Sequence, residues 1–358
     1  MTRMTLFLSR HAIARSRAMP TYPWIYLLVA LLFLMPVMAQ AGQSDLDFAL
    51  QGPSFEPGKP NPKLVTPEWI QKGITHPTGG EPFDLQIEMD QNLYEALTPL
   101  VEQYAAGRGL KVRINRGTCG TSSGPLAKKE ADMAGFCCPP ASYDRLPGIV
   151  FHTIGIVPTV FITHPGNPVT RITFGEVQKI YSGDLREWRE LSDPAAREMT
   201  GTIQPVARLH CETRPGHWRE ILDNKSLFFQ YALFVSSIPD MVDTVASNPN
   251  AFGWISRWVV EKPTNKGRVR WLKLNGVDPD DTQAVSEGKY PYFKVMNMTT
   301  WEGAGASPLA DRLIDHLLNR SDPAQNAAFI VPASALRRHG WRFDGNELIG
   351  TPNHQTSP

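Results

Sequence analysis

The feature of this sequence that most limits its fold is the alternation of strand and helix patterns that begins at Phe83. Polar and apolar residues alternate over residues 84–89, as in a strand. Apolar residues then recur at helical spacing from Leu93 to Tyr104, and Gly107 ends the predicted helix. Further strands are predicted over residues 112–115, 131–136, 149–150, 154–162, 203–207 and 251–255, and further helices over residues 218–222 and 238–246. This alternation indicates an α/β fold with open, mainly parallel sheets, in which ligands bind where strands end.

Two further helices carry clear start signals. Thr173 is followed three residues later by Glu176, a capping box that predicts a helix ending at Gly183. Ser307 precedes a proline, which is the usual order of N-cap and first helical residue. Residues 117–124, by contrast, are rich in Gly and Ser and predict a turn after the second strand.

Residues 1–41 have the composition of a targeting segment. They contain four arginines, no carboxylate and an apolar run over residues 25–34, and they end in the small-residue cleavage signal Ala39-Gln40-Ala41. The alternative is an uncleaved membrane anchor, but Pro36 interrupts the apolar core, which is shorter than the roughly 20 residues that a span needs. We therefore predict a cleavable signal peptide, a periplasmic location and no stable membrane insertion after cleavage.

The charge balance changes when this segment is removed. The full sequence has 36 basic and 35 acidic side chains, so losing the four arginines leaves 32 basic against 35 acidic, a net charge of about −3. No basic stripe remains that could neutralise the phosphates of a nucleic acid. Nucleic acid is therefore not an expected partner.

The exported part of the chain is longer than one hydrophobic core usually holds, so two domains are expected. Residues 42–82 are rich in Pro and Gly and lack sustained periodicity. This composition predicts an extended N-terminal arm on the surface.

Several segments, taken in order, carry a family resemblance. Residues 167–183 read NPVTRITFGEVQKIYSG and are followed by Trp188; residues 245–254 read VASNPNAFGW, and residues 287–292 read EGKYPY. In order and spacing, from about Phe83 to Ile330, the sequence resembles the phosphate-binding type of ABC-transporter substrate-binding protein.

The resemblance implies an α/β, two-lobed periplasmic binding protein fold of the type II-like class, with open, mainly parallel sheets joined by crossing strands. Lobe 1 would comprise residues 83–160 and 251–350, and lobe 2 residues 161–250. Such a protein closes on a small oxyanion, held by backbone N–H groups at helix N-termini, by Ser and Thr hydroxyls and often by an Arg. It acts as a monomer without a cofactor and can deliver its ligand to an ABC permease.

The positions that match the family's binding loops give the expected ligand contacts. These candidate ligand-binding residues are Thr118, Cys119, Thr121, Ser122, Cys137, Cys138, Arg208, Cys211 and Thr213. Several loops nevertheless depart from the family pattern. Cys211-Glu212-Thr213 stands where the family has Ser-Gly-Thr. Cys137-Cys138 stands where the family often has Ser-Arg. Asp90-Gln91-Asn92 stands where the family's Gly-Ser-x-Thr is expected. A carboxylate at Glu212 would repel an anion, so the resemblance does not fix the ligand.

All four cysteines fall in these loops, and three interpretations of them remain open. An even number of cysteines in an exported protein favours disulfide bonds, although the adjacent pair Cys137–Cys138 has poor geometry for one. A second interpretation is a site for Zn²⁺, Cu⁺ or another thiophilic ion, formed by the cysteines with His210 and His217, which flank Cys211. The metal ligands would then be Cys119, Cys137, Cys138, Cys211 and His210. The third interpretation is redox-active thiols.

Catalytic motifs do not occur in the sequence. There is no G-x-S-x-G elbow, H-E-x-x-H pair, P-loop or dinucleotide fingerprint. We therefore expect a binding protein and not an enzyme; the alternative on the same fold is a cysteine-dependent metal-binding or redox protein.

Overall fold

The computed structural model describes residues 65–77, 81–138, 140, 145–210, 217–319 and 329–352. The predicted signal peptide of residues 1–41 and most of the predicted arm lie outside these residues. The described residues all fall within one compact unit, Ser44–Pro358.

One large sheet organises the described residues, and from one edge to the other its strands are Val112–Gly117, Leu85–Asp90, Met133–Phe136, Phe293–Trp301, Ile149–Thr163, Ala251–Ser256, Gln204–Ala207 and Leu233–Phe234. Its first half, with the helices that follow each strand, begins directly after the predicted arm. The elements of this half are β1 (Leu85–Asp90), α2 (Gln91–Ala106), β2 (Val112–Gly117), α3 (Cys119–Ala127) and β3 (Met133–Phe136). The three strands are mutually parallel, with Ile87 of β1 level with Ile114 of β2 and Met133 of β3. We call this group the β1–β3 half.

The second half of the sheet also has parallel strands. Its strands and the helices around them are α4 (Phe174–Ser182), β6 (Gln204–Ala207), β7 (Leu233–Phe234), α5 (Ile238–Ser247), β8 (Ala251–Ser256) and α6 (Arg257–Val260). The short strand β5 (Arg171–Ile172) precedes α4 and pairs with residues 273–274 in a separate two-stranded sheet. Strand β6 pairs in parallel with both β7 and β8. We call this group the β6–β8 half.

Two long strands join the halves. Strand β11 (Phe293–Trp301) pairs antiparallel along its whole length with residues 149–158 of strand β4 (Ile149–Thr163). Strand β11 continues to β3 on one side, and β4 continues to β8 on the other, both antiparallel. The sequence predicted two separate strands in residues 149–162; because apolar and β-branched residues run almost without a break, they form one continuous strand.

The remaining elements pack around this frame. They are α1 (Pro67–Gln71), β9 (Arg270–Trp271), β10 (Lys273–Leu274), α7 (Thr282–Ser286), α8 (Pro308–Leu318), β12 (Val331–Pro332), α9 (Ala333–Arg338), β13 (Arg342–Asp344) and β14 (Glu347–Gly350). Short 3-10 helices cover Trp188–Glu190, Pro194–Ala196, Trp218–Glu220, Lys225–Leu227 and Gly303–Gly305. Among the described residues, no helix has the length and apolar character to cross a bilayer.

The local signals in the sequence explain where most helices begin and end. In α4, Thr173 Oγ1 accepts from the Glu176 N–H while the Glu176 carboxylate accepts from the Thr173 N–H, which is the predicted capping box. Gly183 ends the helix with φ of 86°, a left-handed conformation that favours glycine. Ser307 likewise caps α8 by accepting from the Ala310 N–H. These predictions are confirmed.

Two local predictions were wrong. Residues 117–124 do not form a turn, because Thr118 and Thr121 cap each other reciprocally and start helix α3 at Cys119. Residues 218–222 form only a single 3-10 turn, Trp218–Glu220.

The described part of the predicted arm, residues 65–77, packs against the β1–β3 half. Trp69 Nε1 donates to the Ala127 carbonyl oxygen, and the Trp69 ring lies against Trp301 with 5.8 Å between centroids. The ammonium group of Lys129 sits over both rings, 4.4 Å from the Trp69 centroid and 3.8 Å from that of Trp301. These contacts fix α1 to the body of the protein.

Candidate functional site

A pocket of about 260 Å³ opens where several strands end. The carboxyl ends of β1, β2 and β3 lie side by side because these strands are parallel, and the chain leaves β6 and β7 toward the same place. The residues that line the pocket are Asp90, Gln91, Asn92, Thr118, Cys119, Gly120, Cys137, Arg208, His210, His217 and Ser236. The lining thus comes from both halves of the sheet.

Two helices begin at this pocket. Asp90 is the N-cap of α2, and its Oδ1 accepts from the Asn92 N–H at 2.7 Å. Thr118 is the N-cap of α3, where its Oγ1 accepts from the Thr121 N–H at 3.2 Å. First-turn amides have no acceptor within their own helix and carry the positive end of the helix dipole. Gly120, in the first turn of α3, lines the pocket, so its amide is a candidate donor for an anion.

The β6–β8 half contributes two basic side chains. Arg208 is half-buried, and its Nε donates to the Ser236 carbonyl oxygen at 3.2 Å. His210 is exposed, and its Nε2 donates to the same oxygen at 2.9 Å. Besides its bond to Ser236, Arg208 places a cationic guanidinium in the lining of the pocket.

Asp90 is the only carboxylate among the described residues that line the pocket, and it is buried. Its second oxygen, Oδ2, accepts from the Cys137 N–H at 2.7 Å. Burial raises the pKa of Asp90 well above its usual range, and the nearby Cys137 thiol raises it further. The hydrogen bonds from Asn92 and Cys137 act in the opposite direction.

Three buried side chains meet at the floor of the pocket. Cys137 Sγ lies 3.4 Å from His217 Nε2 and 3.9 Å from Cys138 Sγ. Asn92 Nδ2 also contacts Cys137 Sγ at 3.4 Å. The ligand atoms of Cys137, Cys138 and His217 all lie within 4.8 Å of one another, and so do those of Asp90, Cys119 and Cys137. Cys137 belongs to both groups.

Two buried bases stand next to these thiols. Burial lowers the pKa of His217 to about 4, and the charge of Lys294 lowers it as well, so its imidazole is neutral at pH 7. Lys294, on the crossing strand β11, donates from Nζ to Ser256 Oγ at 2.9 Å. Burial lowers the pKa of Lys294 too, while the thiols of Cys137 and Cys138 and the Asp90 carboxyl favour its charged form.

The structure brings some of the predicted site residues together and leaves others apart. Thr118, Cys119, Cys137, Arg208 and His210 all line the pocket, and buried Cys138 adjoins it through Cys137. The hydroxyl of Thr121 serves the cap of α3, and Ser122 is buried in that helix; neither residue lines the pocket. Cys211 and Thr213 lie outside the described residues.

The lining residues that were not among the predicted oxyanion contacts are Asp90, Gln91, Asn92, Gly120, His210, His217 and Ser236, of which His210 and His217 had been named only as possible metal ligands. The signal for Asp90 and Asn92 was present, because both stand at the end of the first parallel strand, where ligands bind. Ser236 stands just past β7, a two-residue strand with no clear sequence pattern.

A disulfide bond was the first interpretation of the cysteines. Between Cys137 and Cys138 the sulfur atoms are 3.9 Å apart, far beyond the ~2.05 Å of an S–S bond. Cys119 also forms no disulfide with another described residue.

Comparison with known proteins adds to this geometry. A family model described as a PBP superfamily domain matches residues 75–321, more than half of the chain. Comparison with curated proteins gives no match. The fold is similar to that of a Clostridium perfringens protein described as a phosphate ABC transporter substrate-binding protein with bound phosphate. The sequence identity is 18% and the TM-score is 0.58. The alignment covers 70% of this chain and 99% of that chain.

A second similar structure is an ABC-type phosphate transport receptor from Vibrio cholerae. Its identity to this chain is 20% and its TM-score 0.53, with 69% of this chain and 99% of the receptor covered. These matches confirm the predicted α/β, two-lobed, type II-like fold. With the family match over residues 75–321, they show that the chain belongs to the PBP superfamily.

Proposed function

We propose that this protein is a periplasmic solute-binding protein that captures a small, phosphate-like oxyanion in the pocket. One observation carries the proposal: the N-termini of α2 and α3 and the guanidinium of Arg208 converge on a single cavity at strand ends. Backbone N–H groups and an arginine are the donors that proteins use for oxyanions. A cavity of about 260 Å³ suits a small ligand.

The overall charge of the protein does not attract anions, so these local donors must provide the binding energy. Without residues 1–41 the chain carries 32 basic and 35 acidic side chains. Long-range steering of an anion is therefore weak. Binding through oriented amides and one arginine does not need a positive overall field.

Asp90 restricts which anion can bind. A carboxyl group beside an anion is tolerated when a proton lies between the two oxygens. Because burial raises the pKa of Asp90, that proton can come from the carboxyl group or from the ligand. Oxyanions that keep a proton near neutral pH, such as phosphate and arsenate, therefore fit the pocket whether or not Asp90 is ionised, whereas sulfate fits only while Asp90 holds the proton.

The proposal extends to how the protein works in the cell. Residues 83–160 and 251–350 would form one lobe and residues 161–250 the other, with β4 and β11 crossing between them. Hinge closure around the ligand would bury it. The exported, monomeric protein would bind its ligand without transforming it and pass it to an ABC permease.

Thermal unfolding of the exported protein with inorganic phosphate, arsenate and sulfate tests this proposal. Phosphate at a hundredfold excess over its Kd stabilises the native state by about 2.7 kcal/mol, which raises Tm by several degrees. Arsenate should raise Tm as much as phosphate does, and sulfate should raise it less. If none of the three anions raises Tm, the oxyanion proposal is wrong.

A further inference from the structure

The floor of the pocket holds donors that an oxyanion does not use. Cys137 and Cys138 follow β3 where the chain has left the strand, so their side chains are not forced to opposite faces of the sheet. Both sulfur atoms therefore face the same neighbour, His217. All three residues are buried, with exposed fractions of 2%, 4% and 5%.

Two of the three spacings among these atoms match those of ligands around one metal ion, and the third, between Cys138 Sγ and the His217 ring nitrogen, is within 4.8 Å. Bonds of ~2.3 Å to sulfur and ~2.0 Å to nitrogen at tetrahedral angles place two sulfur ligands about 3.8 Å apart and sulfur and nitrogen about 3.5 Å apart. The observed distances are 3.9 Å for Cys137 Sγ to Cys138 Sγ and 3.4 Å for Cys137 Sγ to His217 Nε2.

We propose that Cys137, Cys138 and His217 form a binding site for a thiophilic cation such as Zn²⁺ or Cu⁺. Two sulfurs and one imidazole nitrogen are soft donors that select these ions over Mg²⁺ and Ca²⁺. This proposal does not depend on the oxyanion function, although Cys137 and His217 line the same pocket.

The surroundings suit this role. Tyr292 donates from its hydroxyl to the His217 carbonyl oxygen at 2.7 Å, and Asn92 Nδ2 contacts Cys137 Sγ, so neighbouring side chains hold two of the ligands in place. Cys137 and His217 also line the pocket, which gives an ion a path from solvent.

A fourth ligand is available next to Cys137. Asp90 and Cys119 have ligand atoms within 4.8 Å of each other and of the Cys137 sulfur. Zn²⁺ usually takes four ligands in structural sites and leaves one position open in sites that exchange a ligand. Asp90 and Cys119 are therefore the candidates for the fourth position, on the pocket side of Cys137.

Titration of the reduced, exported protein with Co²⁺, in buffer free of oxyanions, tests this site. Co²⁺ takes the same tetrahedral geometry as Zn²⁺ and gives a thiolate charge-transfer absorption when bound to cysteine sulfur. We expect this absorption to saturate at one equivalent and to disappear when Zn²⁺ is added. Mg²⁺ should not displace the Co²⁺. A wild-type protein that gives no such absorption would overturn the proposal.

Variants assign the ligands. Cys138→Ser does not alter a pocket-lining residue. Because residues that only support the ligands of a metal site change metal affinity about 10- to 100-fold, loss of a ligand itself should weaken Co²⁺ binding by roughly a hundredfold or more. His217→Gln should act similarly, and far-UV circular dichroism shows whether each variant is folded. The matched control is His164→Gln, a half-buried histidine outside the pocket, which should bind Co²⁺ as the wild type does. Unchanged binding by a folded Cys138→Ser protein contradicts the assignment.

Phosphate titration of the metal-free protein separates this proposal from the oxyanion function. Co²⁺ absorption without any phosphate effect supports only the metal site, whereas a phosphate effect without Co²⁺ absorption supports only the oxyanion site.

Discussion

Arg208 and Ser236 are joined by a hydrogen bond of 3.2 Å from the guanidinium Nε to the backbone carbonyl oxygen. The two residues follow different strands of the β6–β8 half, β6 and β7, and both line the pocket. The bond uses one of the five N–H donors of the guanidinium. It therefore holds the side chain at the pocket while leaving donors for a ligand.

Replacing Arg208 tests its role in ligand binding. Arg208→Ala removes charge-assisted hydrogen bonds worth about 1.5–3 kcal/mol, so phosphate affinity should fall roughly 10- to 150-fold. Isothermal titration calorimetry measures the change. Arg186→Ala removes the same charge from an arginine outside the pocket and should leave the affinity unchanged. Equal effects of the two substitutions would show that only overall charge matters.

The crossing strand β4 depends on a glycine at residue 155. A Cβ atom added there would meet the backbone carbonyl of Val331 and the Ile330 side chain, and backbone cannot move aside cheaply. Gly155→Ala should lower the free energy of unfolding by roughly 1–3 kcal/mol in urea denaturation. Gly107→Ala, at the right-handed C-cap of α2 where an added Cβ would make only ordinary contacts, should instead stabilise by about 0.4–1 kcal/mol. The reverse order of stability would contradict the packing of β4 against β12.

The docked part of the arm should contribute to stability through one tryptophan. Trp69→Ala removes a hydrogen bond to Ala127 and the ring contacts with Trp301 and Lys129. We expect a loss of about 1–3 kcal/mol by chemical denaturation. Ile70→Ala, at the next position of the same helix, removes a side chain that is 46% exposed and should cost less than about 0.5 kcal/mol. Similar losses for both variants would mean that the tryptophan contacts are not important.

His152 makes stability depend on pH. Burial lowers its pKa below 6.5, although Asp311 and Asp315 oppose the shift. The unfolded chain therefore takes up this proton first as the pH falls, so the contribution of His152 is complete above about pH 6.5 and is lost below it. Tm measured between pH 7.5 and 5 should fall less in His152→Gln than in the wild type. Parallel curves would contradict a buried, neutral His152.

The sequence predicted the parts of the fold that local chemistry determines. Helix α4 has its capping box and its C-terminal glycine within one short segment, so both ends were predicted correctly. Helix α3 was missed because its Gly and Ser content is typical of turns, whereas the reciprocal cap of Thr118 and Thr121 decides the structure. A cap formed by two threonines differs from the usual pattern with Glu at the third position.

The site could be predicted only in part, because it depends on which loops meet. Placement of Cys119, Cys137 and Arg208 at the pocket followed from strand ends matched to a family pattern. The contact of Cys137 with His217 could not be predicted from the sequence, because it joins residues 80 positions apart. Lys294 had a local signal, a charged residue inside an apolar strand, but its closeness to the thiols depends on the pairing of β11 with β3.

The most direct test of the oxyanion function is a crystal structure of the exported protein grown with inorganic phosphate and without added metal. We expect phosphate in the pocket, with its oxygens within hydrogen-bond distance of the Arg208 guanidinium and the Gly120 amide and one oxygen facing Asp90. A pocket that holds no phosphate in crystals containing it at saturating concentration, or phosphate bound elsewhere on the surface, would contradict the proposed function.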